Sequence, residues 1–301
     1  MDVGQLNIPI STVFLRNYQS QKKINLNRGG TSSGKTGALV DIAILFLFTG
    51  RVDEYKTFDK GIFSIVRKYS ANLRTSVIRD FEDHLNNFGL MSFIKVNRSE
   101  KTYSYQGRVI EFLGIDDPQK ARGPRRDILW CNEANELTEE DFFQLSVRTK
   151  YKVFIDFNPS DEDIWINHKL EIERAAKVGD VEIIVSTYLD NPFLDEEIVR
   201  EIELMRELNP TYWTVYGEGN YGKLVGRIFN IVIIDDVPKE AKHVAYGQDF
   251  GFVNDPSALV DVWKWNNGIV IDEIFYEPGL TNQDIVARYE QYEVPKTNTI
   301  V

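Results

Sequence analysis

The sequence has few of the features that mark an oxidising compartment or a membrane. Cys131 is the only cysteine among 301 residues, so no disulfide can form within the chain, which fits a reducing cytoplasm. The longest uninterrupted apolar run, residues 42–48, is far too short to span a bilayer. The first 20 residues lack a basic start followed by an apolar run, so we predict no signal peptide. We therefore expect a cytoplasmic location without membrane association.

Basic charge is scarce and unevenly distributed. The net charge is −11, which by itself speaks against a nucleic-acid partner. Residues 1–130, however, contain 20 Lys and Arg against 13 Asp and Glu, whereas residues 131–301 contain 15 against 33. A locally basic first half could bind phosphates even in an acidic protein. An ordinary solvated surface explains the imbalance equally well, so charge does not identify the partner.

The most specific motif is a phosphate-binding loop. The segment NRGGTSSGKT matches G-x-x-x-x-G-K-[ST] with Gly29, Gly34, Lys35 and Thr36 at the fixed positions. In such a loop the backbone N–H groups surround the phosphates, the lysine reaches the β- and γ-phosphates, and the threonine hydroxyl binds Mg²⁺. Residues 38–48 are predicted to form a buried helix whose N-terminal end would face the phosphates. The alternative is a Gly/Ser turn that happens to precede a helix. The predicted nucleotide contacts are Gly29, Gly30, Thr31, Ser32, Ser33, Gly34, Lys35 and Thr36.

A later apolar strand carries the candidate catalytic carboxylate. Residues 128–131 are apolar and are followed by Asn132 and Glu133, where P-loop ATPases have the group that activates water. Glu133 is therefore the candidate catalytic base, together with Lys35. Asn132 stands where a metal-associated carboxylate is usual, so it is a weak metal ligand and Thr36 the firmer one. Alternatively Glu133 caps a helix starting near Thr138, although the spacing is wrong for a capping box.

Alternating strand and helix patterns predict an α/β fold for most of the chain, with a mostly parallel sheet covered by helices on both faces. Helical spacing with Ser70 as cap and Gly89 as stop predicts one continuous helix, and Gly107 is predicted to turn a hairpin. We find no internal repeat and no low-complexity segment. The strands are predicted at 61–66, 93–97, 102–106, 108–112, 127–131, 152–157 and 181–186.

The pattern changes after the acidic helical segment 195–216. We predict a first domain over 1–216, a glycine-rich linker over 217–230 and a second domain over 231–301. In the second domain three strand-like runs and a helix suggest the opening of an α+β domain. About sixty residues are too few for a comfortable independent core, and we expect the sequence to end inside this domain.

In this order the motifs resemble the large subunit of the tailed-phage DNA-packaging terminase. The resemblance spans nearly the whole sequence and rests on GGTSSGKT, LWCNEANEL, FIDFNPS, STYLDNPFL and GQDFGFVNDPSAL. It implies an ATPase motor of the additional-strand, catalytic-glutamate type that uses ATP and Mg²⁺, joined to an RNase H-like nuclease. The implied partners are double-stranded DNA, the portal of a procapsid and a small terminase subunit. A ring on the portal, formed from a chain that can be monomeric in isolation, and the cytoplasm of an infected bacterium are implied as well.

The resemblance also implies roles for single residues. Asn158 matches the coupling motif that senses the γ-phosphate, although an Asn before Pro is equally a turn former. Arg122 resembles the trans-acting arginine finger, with a surface salt bridge as the ordinary alternative. Many relatives carry an arginine inside the loop, where this chain has Thr31, and whether Arg28 substitutes is an open question. Gln19 lies where relatives contact the adenine.

Asp249 matches the first metal-binding aspartate of RNase H-like nucleases, because it ends a strand and precedes Phe-Gly. Two-metal hydrolysis, with Mg²⁺ or Mn²⁺, needs several carboxylates. Of the nearby acids, Asp255 lies in a predicted turn and Asp261 is expected to face solvent. We therefore expect a partial nuclease site and no Mn²⁺-dependent cleavage of DNA by these 301 residues.

Two other functions fit the same motor residues. A helicase-like or remodelling ATPase would share the loop and Glu133 but would lack the Asp249 segment. A nucleotide-dependent interaction module would have a defective catalytic strand, and Asn132 lends this alternative some support. ATP turnover that is lost on Glu133→Gln separates both enzymes from the module.

Overall fold

The computed structural model describes residues 10–116, 123–162, 164–222, 234–251, 256–266 and 268–295. The chain divides into two compact units, Met1–Gly226 and Arg227–Val301. The domain limits drawn from the sequence stay predictions, because most of the proposed linker lies outside the described residues. In the described part of the chain, no helix is both long and apolar enough to cross a membrane.

An eight-stranded sheet forms the centre of the first unit, in the order β3-β4-β5-β2-β6-β7-β1-β8. The six strands from β5 to β8 in this order pair in parallel, while β3 and β4 extend the sheet antiparallel. The predicted mostly parallel α/β fold is therefore confirmed. The strands are β1 Ile24–Gly29, β2 Gly61–Arg67, β3 Lys95–Asn97, β4 Thr102–Tyr105, β5 Arg108–Gly114, β6 Arg126–Cys131, β7 Thr149–Phe157 and β8 Val181–Ser186.

Helices cover both faces of this sheet and bury two apolar clusters. One cluster joins α1, α2 and α4 to one face, and the other packs α5 and a π-helical segment against the opposite face. Cys131 is fully buried in the second cluster. The helices are α1 Thr12–Gln19, α2 Lys35–Thr49, α3 Ser70–Thr75, α4 Val77–Asn87, α5 Glu139–Ser146, α6 Ala175–Lys177, α7 Glu196–Leu208 and α8 Pro210–Tyr212, with π-helical turns at Ile166–Arg174 and Trp213–Gly217 and 3₁₀ turns at Met91–Phe93, Ala134–Glu136 and Tyr188–Asp190.

The helix that follows the loop, α2, is buried almost all round, as expected for the apolar run 38–48. It begins three residues earlier than predicted, at Lys35, and it ends at Thr49, with Gly50 as its C-cap. Gly50 has a left-handed conformation (φ 75°) and donates its N–H to the Phe46 carbonyl at 2.8 Å. This hydrogen bond provides a partner for one of the last carbonyl groups of the helix. Because α2 is packed in the core, the position of its first turn, with Lys35 and Thr36, is fixed relative to the sheet.

The prediction of one continuous helix capped by Ser70 is wrong, because Ser70 is the first residue of α3 and because α3 and α4 are separate helices that meet at Ser76. Arg67 at the end of β2 donates to the Ser76 hydroxyl at 2.6 Å, and this hydroxyl donates to the Asn72 carbonyl at 2.5 Å. Side-chain hydrogen bonds of this kind compete with the helical backbone pattern. The predicted hairpin is confirmed: β4 and β5 pair antiparallel around Gly107, whose φ is 85°.

The second unit contains a three-stranded antiparallel sheet in the order β11-β10-β9. Its strands are β9 Lys242–Asp249, β10 Ser257–Trp265 and β11 Gly268–Glu277, and they are followed by helix α9, Asn282–Gln291. The predicted three strands and helix are confirmed. In the described part of this unit, four buried apolar side chains form the core, namely Tyr246, Leu259, Phe275 and Ile285. The RNase H-like identity of this unit stays a prediction.

Candidate functional site

The phosphate-binding loop joins the carboxyl end of β1 to α2, at the edge where the parallel strands β6, β7 and β8 also end. The end of β8 and the segment after it hold the loop. The Gly30 N–H donates to the Ser186 carbonyl at 3.2 Å, and the Ser186 hydroxyl donates to the Ser33 hydroxyl at 3.1 Å. Asn191 donates its amide N–H to the Ser32 carbonyl at 2.9 Å. The STYLDNPFL segment therefore supports the loop from outside.

Two glycines of the loop are required by its backbone. A Cβ at Gly30 would lie 2.0 Å from the carbonyl oxygen of Tyr216, so no side chain fits there. Gly34 has a φ of 80°, in the left-handed region that disfavours other residues. The loop can thus keep its shape only with glycine at these positions.

The Lys35 ammonium is buried and points back into the loop. It donates to the carbonyls of Gly29 at 3.2 Å and Gly30 at 2.9 Å, and to the Asn158 side-chain oxygen at 2.6 Å. Burial lowers the pKa of Lys35, while the negative charges of Asp156 and Glu133 oppose this shift. A buried cation that is held by neutral oxygens is suited to bind an anionic phosphate.

Asp156 on β7 is the fully buried carboxylate of the site. It accepts hydrogen bonds from Trp130 Nε1 at 2.5 Å, from the Thr36 hydroxyl at 3.3 Å, and from the Asn132 amide at 3.2 Å to each oxygen. Burial raises the pKa of Asp156, whereas Lys35 and these hydrogen-bond donors lower it. The predicted weak metal ligand Asn132 is therefore a donor to a carboxylate on the next strand.

Glu133 follows β6 in a left-handed conformation (φ 51°, ψ 54°) that non-glycine residues seldom adopt. Its side chain is half-buried. Burial raises the pKa of Glu133, and so does Asp156, while Lys35 and Arg67 lower it. The capping alternative finds no support, because Thr138 caps α5 and forms a capping box with Asp141. A carboxylate with a raised pKa in a strained turn is typical of functional sites.

The end of β7 connects Lys35 to a segment beyond the sheet. Asn158 contacts the lysine directly, and the next residue, Pro159, accepts the Gly222 N–H through its carbonyl at 3.2 Å. The same C-terminal segment of the unit contributes the Tyr216 carbonyl that faces Gly30. Asn158 therefore lies between Lys35 and residues 216–222.

The other predicted residues lie outside this arrangement. Arg28 donates to Glu171 at 2.9 Å and its guanidinium lies 4.6 Å from the Tyr221 ring centre, so it is engaged away from the loop. Thr31 is exposed. Gln19 is exposed, and its carbonyl accepts the Tyr55 hydroxyl at 3.0 Å. Arg122 lies outside the described residues. The roles given to these four residues stay predictions.

A cavity of about 500 Å³ adjoins the loop, within the usual range for ligand sites. The loop and the start of α2 form one wall, and Gln19 is not among the lining residues. Other walls are formed by α4 and by the segment after β8. The lining residues are Ser11, Ser32, Ser33, Gly34, Lys35, Thr36, Gly37, Ala38, Asp41, His84, Asn87, Phe88, Asn191 and Phe193.

The second unit contains two of the acidic residues that the sequence singled out, Asp249 and Asp261, among its described residues. Asp249 ends β9 as predicted and is exposed, and Asp255 lies outside the described residues. The expectation that Asp261 faces solvent is wrong, because its side chain is 14% exposed and pairs with His243 at 2.8 Å. Among the described residues, no group of three or more His, Cys, Asp or Glu could hold a metal ion.

Residues 21–220 match the family model described as phage terminase large subunit. The chain belongs to this family. The large terminase subunit of Bacillus phage SPP1 is 25% identical over 240 residues, which cover 70% of this chain and 56% of that subunit. The chain thus spans just over half of that relative.

Solved large terminases have a similar fold. The large terminase of a thermophilic bacteriophage superposes with a TM-score of 0.60 at 16% identity, over 97% of this chain and 76% of that one; it has also been solved with ADP and with ATP-γ-S. The large terminase ATPase domain of Thermus phage P74-26 superposes with a TM-score of 0.52 at 15% identity, over 72% of this chain and 95% of that domain. At these identities the likeness concerns the fold alone.

The sequence interpretation missed Asp156 and Arg67. A useful signal was available for the first, since an aspartate inside the apolar run KVFIDF is buried, and buried carboxylates nearly always have partners. Arg67 gave no such signal. It ends β2 and lies near Glu133 only because β2 pairs with β6.

Proposed function

We propose that the chain is the ATPase motor of a phage terminase large subunit, which hydrolyses ATP to move double-stranded DNA into a procapsid. The observation on which this rests is the meeting of Lys35, Thr36, Asp156 and Glu133 at the carboxyl edge of one parallel sheet. Two relatives support it. One is the large terminase solved with ADP and with ATP-γ-S, and the other is the P74-26 protein, described as an ATPase domain.

Each residue has a distinct role in the proposed hydrolysis. The loop amides and the N-terminal end of α2 bind the phosphates, and Lys35 exchanges its carbonyl contacts for β- and γ-phosphate oxygens. The Thr36 hydroxyl and a nearby carboxylate fit Mg²⁺, which prefers oxygen ligands and would neutralise phosphate charge. Glu133 accepts a proton from the attacking water, because its raised pKa suits a general base better than that of an ordinary glutamate.

Coupling to movement would run through the end of β7. In the proposed mechanism a γ-phosphate competes with Asn158 for Lys35, so binding and hydrolysis change the 2.6 Å contact between these two side chains. Any shift of Asn158 reaches Pro159 and its hydrogen bond from Gly222. The segment that leads out of the motor unit is thereby connected to the state of the nucleotide.

Family membership is the support for the remaining parts of the proposal. We propose that the chain acts as a ring on the procapsid portal in the cytoplasm of an infected bacterium, with a small terminase subunit that selects the DNA. Arg122 would complete the site of a neighbouring subunit. Asp249 would contribute to a Mg²⁺- or Mn²⁺-dependent nuclease site together with further acids. This nuclease would cut the DNA at the start and at the end of packaging.

Substitution of the two central residues tests the ATPase. We expect Glu133→Gln to lower the steady-state rate of phosphate release by about 10²–10⁴-fold, because the general base is lost, while ATP-γ-S still binds. Lys35→Ala should weaken ATP-γ-S binding itself, because the buried ammonium that meets the phosphates is removed. Phosphate release and equilibrium binding are measured in parallel with Mg²⁺ present.

Glu140→Gln is the matched control. This carboxyl group is exposed on α5 and accepts only the Gln144 amide among the contacts described, so turnover should match the wild type. Wild-type turnover by Glu133→Gln would refute the catalytic assignment. The absence of any turnover by the wild type, despite binding, would favour the interaction module.

A further inference from the structure

The acidic residue usual beside the catalytic glutamate is replaced here by an amide. Asn132 is 3% exposed and follows the apolar part of β6, so it has no charge to offer a cation. The hydroxyl of Thr36, on the first turn of α2, nevertheless donates to a carboxylate at 3.3 Å. This carboxylate is Asp156, and it comes from the neighbouring strand β7.

The surroundings of Asp156 orient it as an acceptor. Trp130 on β6, Asn132 just after this strand and Thr36 on α2 all donate to it. Asn132 must present its NH₂ group, since a carboxylate oxygen offers only lone pairs to an amide at 3.2 Å. The two strands thus exchange roles: the amide at the end of β6 holds in place a carboxylate that stands on β7.

Burial makes a purely structural role costly. Asp156 is 0% exposed, and a buried carboxylate lowers stability unless hydrogen bonds and charge compensate for the lost water. An apolar residue would continue the run of β7, in which Val153, Phe154, Ile155 and Phe157 are all fully buried. A charge kept beside the threonine of a phosphate-binding loop fits a role with a cation.

We propose that Asp156, and not residue 132, supplies the carboxylate that positions Mg²⁺ on the nucleotide together with Thr36, and that Asn132 is the positioning residue of this carboxylate. The inference rests on the proposed ATP binding. Mg²⁺ keeps several waters and takes one or two carboxylates besides phosphate oxygens. Asp156 on β7 therefore provides the carboxylate for Mg²⁺ that Asn132, after β6, cannot provide.

If Asp156 is the carboxylate that positions Mg²⁺, restoring an acid at position 132 should weaken the metal site. Asn132→Asp restores an acid at the usual position, but it removes a donor to Asp156 and brings two buried carboxylates within about hydrogen-bond distance, where like charges repel. The double variant Asn132→Asp/Asp156→Asn regains a donor and an acceptor in exchanged positions. It should therefore recover part of what either single variant loses.

The test measures how strongly Mg²⁺ strengthens nucleotide binding by the 301-residue chain. The dissociation constant of ATP-γ-S is determined in excess Mg²⁺ and in EDTA. The constant in EDTA divided by the constant in Mg²⁺ reports the metal site without any turnover. We expect Asp156→Asn to lower this ratio by about tenfold or more, with the affinity in EDTA close to the wild type. Asn132→Asp should lower the ratio too, and the double variant should raise it again.

The control is Asp53→Asn. Asp53 is another buried carboxylate, 1% exposed, and it contacts β7 at Lys152, on the same strand as Asp156. It should lose stability but keep the wild-type ratio. Electron paramagnetic resonance of Mn²⁺, used in place of Mg²⁺ in the ATP-γ-S complex, gives a second readout of the metal site.

Several outcomes would overturn the proposal. A wild-type ratio in Asp156→Asn would do so, and so would an unchanged or larger ratio in Asn132→Asp. The second variant decides the matter if Asp156→Asn fails to fold. Failure of the wild type to bind ATP-γ-S even in excess Mg²⁺ would instead refute the proposed ATPase function, and with it this inference.

Discussion

Single residues of the loop are constrained by backbone that is distant in the sequence. A Cβ at Gly30 would lie 2.0 Å from the Tyr216 carbonyl oxygen, and backbone atoms cannot move aside cheaply. A Cβ at Gly37, on α2, would lie 3.7 Å from the His84 ring, which is ordinary contact. Gly→Ala substitutions at these two nearby positions should therefore act in opposite directions.

We expect Gly30→Ala to lower the free energy of unfolding by about 1–3 kcal/mol, the usual cost of overpacking. Gly37→Ala should raise it by about 0.5–1 kcal/mol, because alanine loses less backbone entropy in a helix. Urea denaturation without nucleotide measures both. Equal losses in the two variants would contradict the close approach of the Tyr216 segment.

At the scale of secondary-structure elements, a His–Asp pair joins α4 to α2. His84 Nδ1 lies 2.8 Å from Asp41 Oδ1. The hydrogen bond with Asp41 raises the pKa of His84 against the effect of burial, and Asp80 and Asp83 on α4 raise it further. The Phe88 ring packs edge-on against the imidazole at 6.0 Å. Burial also raises the pKa of Asp41.

The contribution of this pair to stability should depend on pH. Because the pKa of His84 is raised in the folded state, its stabilisation is fully present below the unfolded value of about 6.5 and is lost as pH rises through the folded pKa. We expect His84→Gln to cost about 1–2 kcal/mol at about pH 6 and less at about pH 9. Denaturant unfolding at the two pH values measures this.

Asp41→Asn provides the control background. Without the carboxylate, the effect of His84→Gln should be nearly independent of pH, since the hydrogen bond that raises the His84 pKa is gone. An equal cost of His84→Gln at the acidic and the alkaline pH in the otherwise wild-type protein would argue against the charged pair.

Elements with a strong local signal could be predicted from the sequence. The apolar runs of β2 and β7 and the loop before α2 were located within about three residues, because burial and glycine conformation act locally. The break at Ser76 could not be found in this way, since it depends on Arg67 from β2. Non-local partners override helical periodicity there.

The residues of the candidate site also fall into two groups, those with a local sequence signal and those that depend on non-local pairing. Lys35 and Glu133 follow from motif spacing within short segments. Asp156 and Thr36 are 120 residues apart, and they meet because β7 pairs with β1 in a register that aligns Asp156 with Asn27. Strand order decides which side chains face the loop, and no local pattern encodes it. If Asp156 holds the cation as proposed, Asn132 no longer supports the interaction module.

At the scale of the whole molecule, the proposed packaging motor would have to grip DNA of every sequence. We expect such a grip to act through phosphates, with the basic balance of residues 1–130 as the source of positive charge. A roughly fourfold rise in salt then lowers affinity by about tenfold for every two phosphate contacts. We expect this dependence for two duplexes of unrelated sequence, measured by fluorescence anisotropy between about 50 and 200 mM salt.

The two duplexes serve as controls for each other. Equal affinities and equal salt slopes are expected, because phosphates carry no sequence information. A nearly flat salt dependence would contradict a phosphate grip. A preference for one duplex would indicate contacts with base edges instead.

The buried thiol of Cys131 has a practical consequence for experiments on the proposed motor. Burial raises the pKa of this thiol to about 12, and thiolates, not thiols, react with maleimides. The natural sequence is therefore already suited to dye labelling, with no cysteine to remove. A cysteine added to the surface of each unit would carry a fluorophore selectively, and energy transfer between the two dyes would test whether the proposed ATP cycle changes their separation.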